Sequence, residues 1–187
     1  MRCKALRLAC WNEDGVRDRK LELEHFLSQH GVDTCPLSVT FLKHDQAYRL
    51  AKYFCNRTDR PTAAGGTATL VRRGIVHHSE PVPGLTHLED TAVQVTLAGR
   101  PVKILAAYLL HSRPLIGADL TPCFSGGLPV LMPGDLNAKH VDWNSRLTTR
   151  RGKHLRVYAD ETSCLIFGPH TPSHSTPPSL RMSWTSR

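Results

Sequence analysis

The hydrophobic and polar positions change period several times along the 187-residue chain, and each change predicts an element. Leu6 to Trp11 is a short apolar run stopped by Asn12-Glu13-Asp14-Gly15, a cluster of turn formers, which predicts a buried strand. From Lys20 to His30 the residues Leu21, Leu23, Phe26 and Leu27 fall near helical spacing, and Gly31 stands where a helix stops. A second buried strand is expected from Val32 to Leu37, leading into Ser38-Val39-Thr40. The opening unit therefore reads strand, helix, strand. Further β patterns lie at Thr67 to Val71, after Ala64-Gly65-Gly66, at Ala92 to Leu97, and at Val102 to Leu109. Their closeness predicts antiparallel pairing through short turns. Leu128 to Met132 is another strand candidate, stopped by Pro133-Gly134, and Gly152 to Asp160 has weak helical character. The alternation predicts a mixed α/β chain of two packed sheets with helices outside.

Composition narrows the picture. The length suits one domain, with no room for a second. No run approaches the ~18 apolar residues that span a bilayer, and Met1 to Gly15 carries charges where a secretory signal needs an apolar stretch, so neither a membrane nor a secreted protein is expected. Cys3, Cys10, Cys35, Cys55, Cys123 and Cys164 form no Cys-x-x-Cys pair and read as reduced intracellular thiols. A net charge of +8 favours a polyanionic partner. Pro169 to Arg187 holds four prolines among Ser, Thr and His with no apolar period, the composition of a tail.

Candidate chemistry gathers where predicted strands end. Asp135 and Asn137 alternate with Leu136 after an apolar strand, a spacing that aims an acid and an amide at one cleft while the leucine points inward. The same residues also suit a plain Asx turn. Asn12 ends a second strand and Tyr108 a third. Three strand ends able to contact a phosphodiester match the place where open α/β sheets put their sites.

These residues fall into an ordered series. Trp11-Asn12-x-x-Gly15, Gly65-Gly66-Thr67-Ala68, Tyr108, Gly134-Asp135-Leu136-Asn137 and His140-Val141-Asp142-Trp143 follow one another between Leu6 and Pro172. The series resembles the endonuclease/exonuclease/phosphatase superfamily, and within it the apurinic-type endonuclease domain of jockey-like non-LTR retrotransposons. The resemblance implies a four-layer α/β sandwich and hydrolysis of DNA phosphodiesters with Mg²⁺ or Mn²⁺. It assigns Asn12 to the metal and the phosphate, Tyr108 to steadying the phosphate, Asp135 to orienting water, and Asn137 to the transition state. His140 and Trp143 become substrate contacts. It further implies DNA and a reverse transcriptase domain as partners, and a nuclear location. Nothing in the series bears on oligomeric state.

The chain departs from the family pattern at three points. Ser38-Val39-Thr40 stands where the family has a glutamate that holds the metal, and valine offers no side-chain oxygen; Glu89 and Asp14 are possible substitutes. His111 replaces the proline that follows the family's tyrosine. The terminal strand with Asp and then Ser-Asp-His is not met before Arg187, so a sandwich lacking its C-terminal strands is expected. A domain at 1–172 and an irregular tail at 173–187 are the expected divisions. Met182 and Trp184 have single codons, and reading Met182 to Ser186 one base back yields an apolar strand-like run, so a frameshift near 173–181 is hypothesised. Impaired activity follows, with a non-catalytic nucleic-acid-binding remnant as the alternative.

Overall fold

A computed structural model describes residues 5–12, 15–59, 65–168 and 182–183. The predicted first strand is in two pieces, β1 (Arg7–Leu8) and β2 (Trp11–Asn12), both parallel to β3 (Thr34–Ser38). Helix α1 (Lys20–Gln29) buries Leu23 and Leu27, an i,i+4 pair, whereas Leu21 is 81% exposed. Two residues before Leu23 is about 200° around the helix, so Leu21 does not share the apolar face. Gly31 ends the turn at φ +56.

Three elements follow: β4 (Tyr53–Thr58), β5 (Thr67–Arg72) and β6 (His77–Ser79). β7 (Leu88–Leu97) and β8 (Arg100–Leu109) form the expected hairpin, closed by Ala98-Gly99 with both φ values positive, as a two-residue turn of this hand requires. β5 does not pair with β7. It lies antiparallel between β3 and β4 in the other sheet. The chain completes α2 (Gly117–Phe124), β9 (Val130–Leu131), β10 (Gly134–Asp135), α3 (Arg150–Thr162) and β11 (Met182–Ser183).

The first sheet runs β11-β1-β3-β5-β4 with β2 extending the β1 line, and the second runs β10-β8-β7-β6 with β9 also beside β8. Of the expected tail, the two residues of β11 pair antiparallel with β1, Leu8 opposite Met182. Residues 173–181, where the frameshift is hypothesised, lie outside the described residues.

Three apolar layers hold four structural layers together. Trp11, Leu23, Leu37 and Leu70 pack between α1 and the first sheet. Leu8, Val71, Val93 and Ile104 pack between the sheets. Leu105, Leu109, Leu120 and Cys123 pack the second sheet against α2, with Leu155 and Tyr158 of α3 beside them. The five described cysteines are free thiols, and among the described residues no helix is long and apolar enough to cross a membrane.

Asp90 of β7 carries a pH-dependent cost. Burial pushes its carboxyl up, against the opposing pull of the Val82 N–H and of Lys103. A raised folded-state pKa means that the fold favours the protonated acid, so stability falls as pH rises through that value. Asp90→Asn should therefore unfold at a higher temperature than the wild type at pH 7, and the gap should close on acidification. A gap independent of pH would contradict this origin.

Candidate active site at the strand ends

Each sheet contributes one row of polar groups at the same end of the sandwich. Register places Asn12 beside Ser38, Ser38 beside Thr67, and Thr67 beside Thr58 in the first sheet. In the second, Asp135 stands beside Tyr108, and Tyr108 beside Glu89. Residues directly opposite on neighbouring strands share a face, so the rows look at each other across the interior. Asn12 Nδ2 donates to Asp135 Oδ2 at 2.9 Å, and Ser38 Oγ to Ala107 O at 3.1 Å. Gly66 N donates to Glu89 Oε2 at 2.6 Å. The hydroxyls of Thr67 and Thr58 lie 2.8 and 2.9 Å from that of Thr91, tying the first row to the second sheet.

The turn reading and the cleft reading of Asp135 are both realised. Its Oδ1 accepts from Asn137 N at 2.8 Å, an Asx turn that holds Asn137 at φ 49. Its Oδ2 faces Asn12. Asn137 Nδ2 donates to Leu109 O at 2.9 Å, so this amide ties β10 to the end of β8. Gly134 is required by packing, since a Cβ there would lie 1.9 Å from Ala107 O. Tyr108 is 6% exposed, its ring within the interior. The Cys10 thiol is pushed up to about 12 by burial and then by Asp135, which keeps it protonated and unreactive.

His140 and Trp143 stand beside the rows. Their rings pack 4.8 Å apart, and Trp143 Nε1 donates to Ala138 O at 3.0 Å. His140 Nδ1 accepts from Asp142 N at 3.1 Å, capping the 3₁₀ turn Val141–Trp143. The motif thus fixes the loop after Asn137. Arg151 also belongs here, although none of the sequence motifs includes it. Its Nη2 donates to Leu110 O at 3.1 Å and also to the carbonyls of His111 and Arg113, bracing the chain just after Tyr108. Arg72 and Arg73 lie at the far end of β5: Arg72 pairs with Asp33 at 2.8 Å and Arg73 stacks over Phe54.

The donor set does not fit a firmly held divalent cation. Asp135 supplies one carboxylate, with both oxygens already accepting. Val39 supplies only its carbonyl, which accepts from Gly15 N at 3.1 Å. Glu89 stands two strand spacings from Asp135, about 10 Å between backbones, with Tyr108 between them. Asp14 lies outside the described residues. Among the described residues no three His, Cys, Asp or Glu side chains come together as ligands. Val39 is nevertheless held at φ 59, an outlying conformation for a β-branched residue, and such strain concentrates at functional sites.

The four-layer arrangement is similar in fold to solved endonuclease structures. The endonuclease domain of TRAS1, a telomere-specific non-LTR retrotransposon, superposes with a TM-score of 0.68 at 16% identity, covering 84% of this chain and 72% of that one. An AP endonuclease from Leishmania major superposes at 0.61 and 13% identity, covering 85% and 67%. In sequence, the RNA-directed DNA polymerase from mobile element jockey of Drosophila funebris is 27% identical over 154 residues, 81% of this chain. A probable RNA-directed DNA polymerase from transposon BS of Drosophila melanogaster is 24% identical over 182 residues, 91% of this chain. The chain spans 17% and 20% of the length of these two relatives. No family model matches.

Proposed function

We propose that this chain is the endonuclease domain of a non-LTR retrotransposon, built to face a DNA phosphodiester and impaired in hydrolysing it. The observation that carries this reading is the 2.9 Å hydrogen bond from Asn12 to Asp135, made between two sheets with Tyr108 alongside. In this reading Asp135 orients the attacking water and Tyr108 steadies the phosphate. Asn137, with one amide hydrogen on Leu109 O, offers the other to a phosphate oxygen. Weak hydrolysis follows from position 39, where no carboxylate completes the site for a divalent ion. The partners are DNA and the reverse transcriptase domain of the parent element, an activity that the jockey relatives carry in their names, and the place of action is the nucleus.

Supercoiled-plasmid nicking tests the reading. The wild type should convert plasmid slowly in Mg²⁺ or Mn²⁺, and both EDTA and Asp135→Ala should remove that conversion, a loss of at least tenfold. A folded wild type that nicks no faster than Asp135→Ala would leave a non-catalytic DNA-binding remnant, the reading that Val39 favours.

A further inference from the structure

The end of the sandwich opposite the strand-end site carries charges that hydrolysis does not use. Here β1, β4 and β8 begin and β5 ends, with Arg72 about 17 Å along β5 from Thr67. Arg7, Lys52, Arg72, Arg73 and Arg100 are all exposed at this end. The carboxylates beside them are engaged. Asp33 accepts from Arg7 N at 3.0 Å and pairs with Arg72 at 2.8 Å. Glu24 accepts from Ala51 N at 3.3 Å and stands 4.0 Å from Lys20. The cations outnumber these acids, so the surface favours a polyanion.

An aromatic ring lies among these cations. Phe54, on the edge strand β4, is 44% exposed. The Arg73 guanidinium lies 4.7 Å from its ring centroid, and the His77 ring stands 5.5 Å away at 49°. Both neighbours are held in place. Arg73 N donates to Lys52 O at 2.7 Å, which keeps these two residues side by side. His77 Nδ1 donates to Ile75 O at 3.1 Å, leaving Nε2 to accept from Asn56 Nδ2 at 3.1 Å. The ring is therefore set before a partner arrives, and ordering it on contact costs little. A flat apolar face among cations suits a partner with flat faces and negative charge. Duplex DNA keeps its bases stacked on one another, and an acidic peptide has charge without such faces; unpaired nucleotides have both. We propose that Phe54, with Lys52 and Arg73, is a stacking platform for single-stranded nucleic acid at the end of the domain away from Asp135. Bases stack on Phe54 while phosphates meet Lys52 and Arg73. The platform reads base faces and phosphates, so DNA and RNA strands are equivalent to it. The proposal goes beyond the phosphodiester-facing reading and does not depend on it.

The test uses the whole chain in EDTA with a short unpaired oligonucleotide carrying one 2-aminopurine, whose fluorescence falls when the base stacks. Wild type should bind and quench it, with DNA and RNA versions of the strand within about fivefold of each other. Phe54→Leu, at an exposed position that leaves circular dichroism unchanged, should lose the quenching and bind at least ~fivefold more weakly. Phe54→Tyr should keep both. Arg73→Ala should reduce the salt slope by about 0.7, one phosphate contact on a single strand. Excess duplex DNA should leave the strand in place. A folded wild type that does not bind the strand, displacement by duplex, binding of polyglutamate as tight as that of the strand, a wider gap between DNA and RNA, or undiminished quenching in Phe54→Leu would each overturn the platform. None of these outcomes alters plasmid nicking, so the reading of Asp135 stands or falls separately.

Discussion

Asp119→Ala should destabilise the domain by about 4 kcal/mol or more, a large share of the ~5–15 kcal/mol that holds a domain of this size. Asp119 lies in α2 and is 1% exposed. Its Oδ1 accepts from Thr86 N at 2.8 Å, and its Oδ2 accepts from His87 N at 2.8 Å and Leu88 N at 3.0 Å. Removing the carboxylate strands three donors, each costing about 1–3 kcal/mol when left unmade in the interior. Asparagine rescues only in part, because its amide nitrogen turns a donor toward a donor. The consequence reaches the site: Leu88 opens β7, and the next residue is Glu89, opposite Tyr108. Urea unfolding followed by circular dichroism measures the effect. A midpoint close to wild type would mean that water satisfies the three amides and that α2 is not what anchors β7.

Val39→Glu should raise Mg²⁺-dependent plasmid nicking at least tenfold, the largest gain open to a single substitution here. Ser38 is paired with Asn12, so the next residue stands at the strand end beside the Asn12 and Asp135 contact. A carboxylate there would join Asp135 in a ligand set that the present chain does not complete. The substitution also relieves strain. Valine at φ 59 bears a cost of roughly 1–2 kcal/mol, and an unbranched side chain tolerates that region better. Binding is read separately from activity by the rise in unfolding temperature that Mn²⁺ confers, expected for Val39→Glu and absent for wild type and Val39→Gln. A folded Val39→Glu with neither the Mn²⁺ shift nor faster nicking would show that the missing carboxylate is not what impairs the site.

Local pattern decided much of this molecule. The helix over Lys20–Gln29, the strands β3, β5, β7 and β8, and the placing of Asn12, Tyr108 and Asp135 at strand ends are legible because periodicity and turn residues are local properties. The motif series also carries the resemblance to retrotransposon endonucleases, since its order and spacing reflect a path through one architecture. β4 and α2 were not legible. The run Tyr53–Thr58 mixes apolar and polar residues because one face packs on the α1 core while Asn56 and Thr58 on the other bond to His77 and Thr91 of the second sheet, and α2 contains Pro122 and starts at Gly117.

Only the tertiary structure decided which sheet each strand joined. β5 matches the pattern of a partner for β7, yet it pairs with β3 and β4, because burial of Thr67, Thr69 and Val71 between the sheets favours facing β7 over lying beside it. The same holds for Glu89 and Arg151, whose roles depend on register and reach across the fold. Sequence alone fixed the groups able to meet a phosphodiester and the absence of a side-chain oxygen at position 39. The packing of two sheets brought Asn12 within 2.9 Å of Asp135, a separation set by long-range burial that no local pattern encodes.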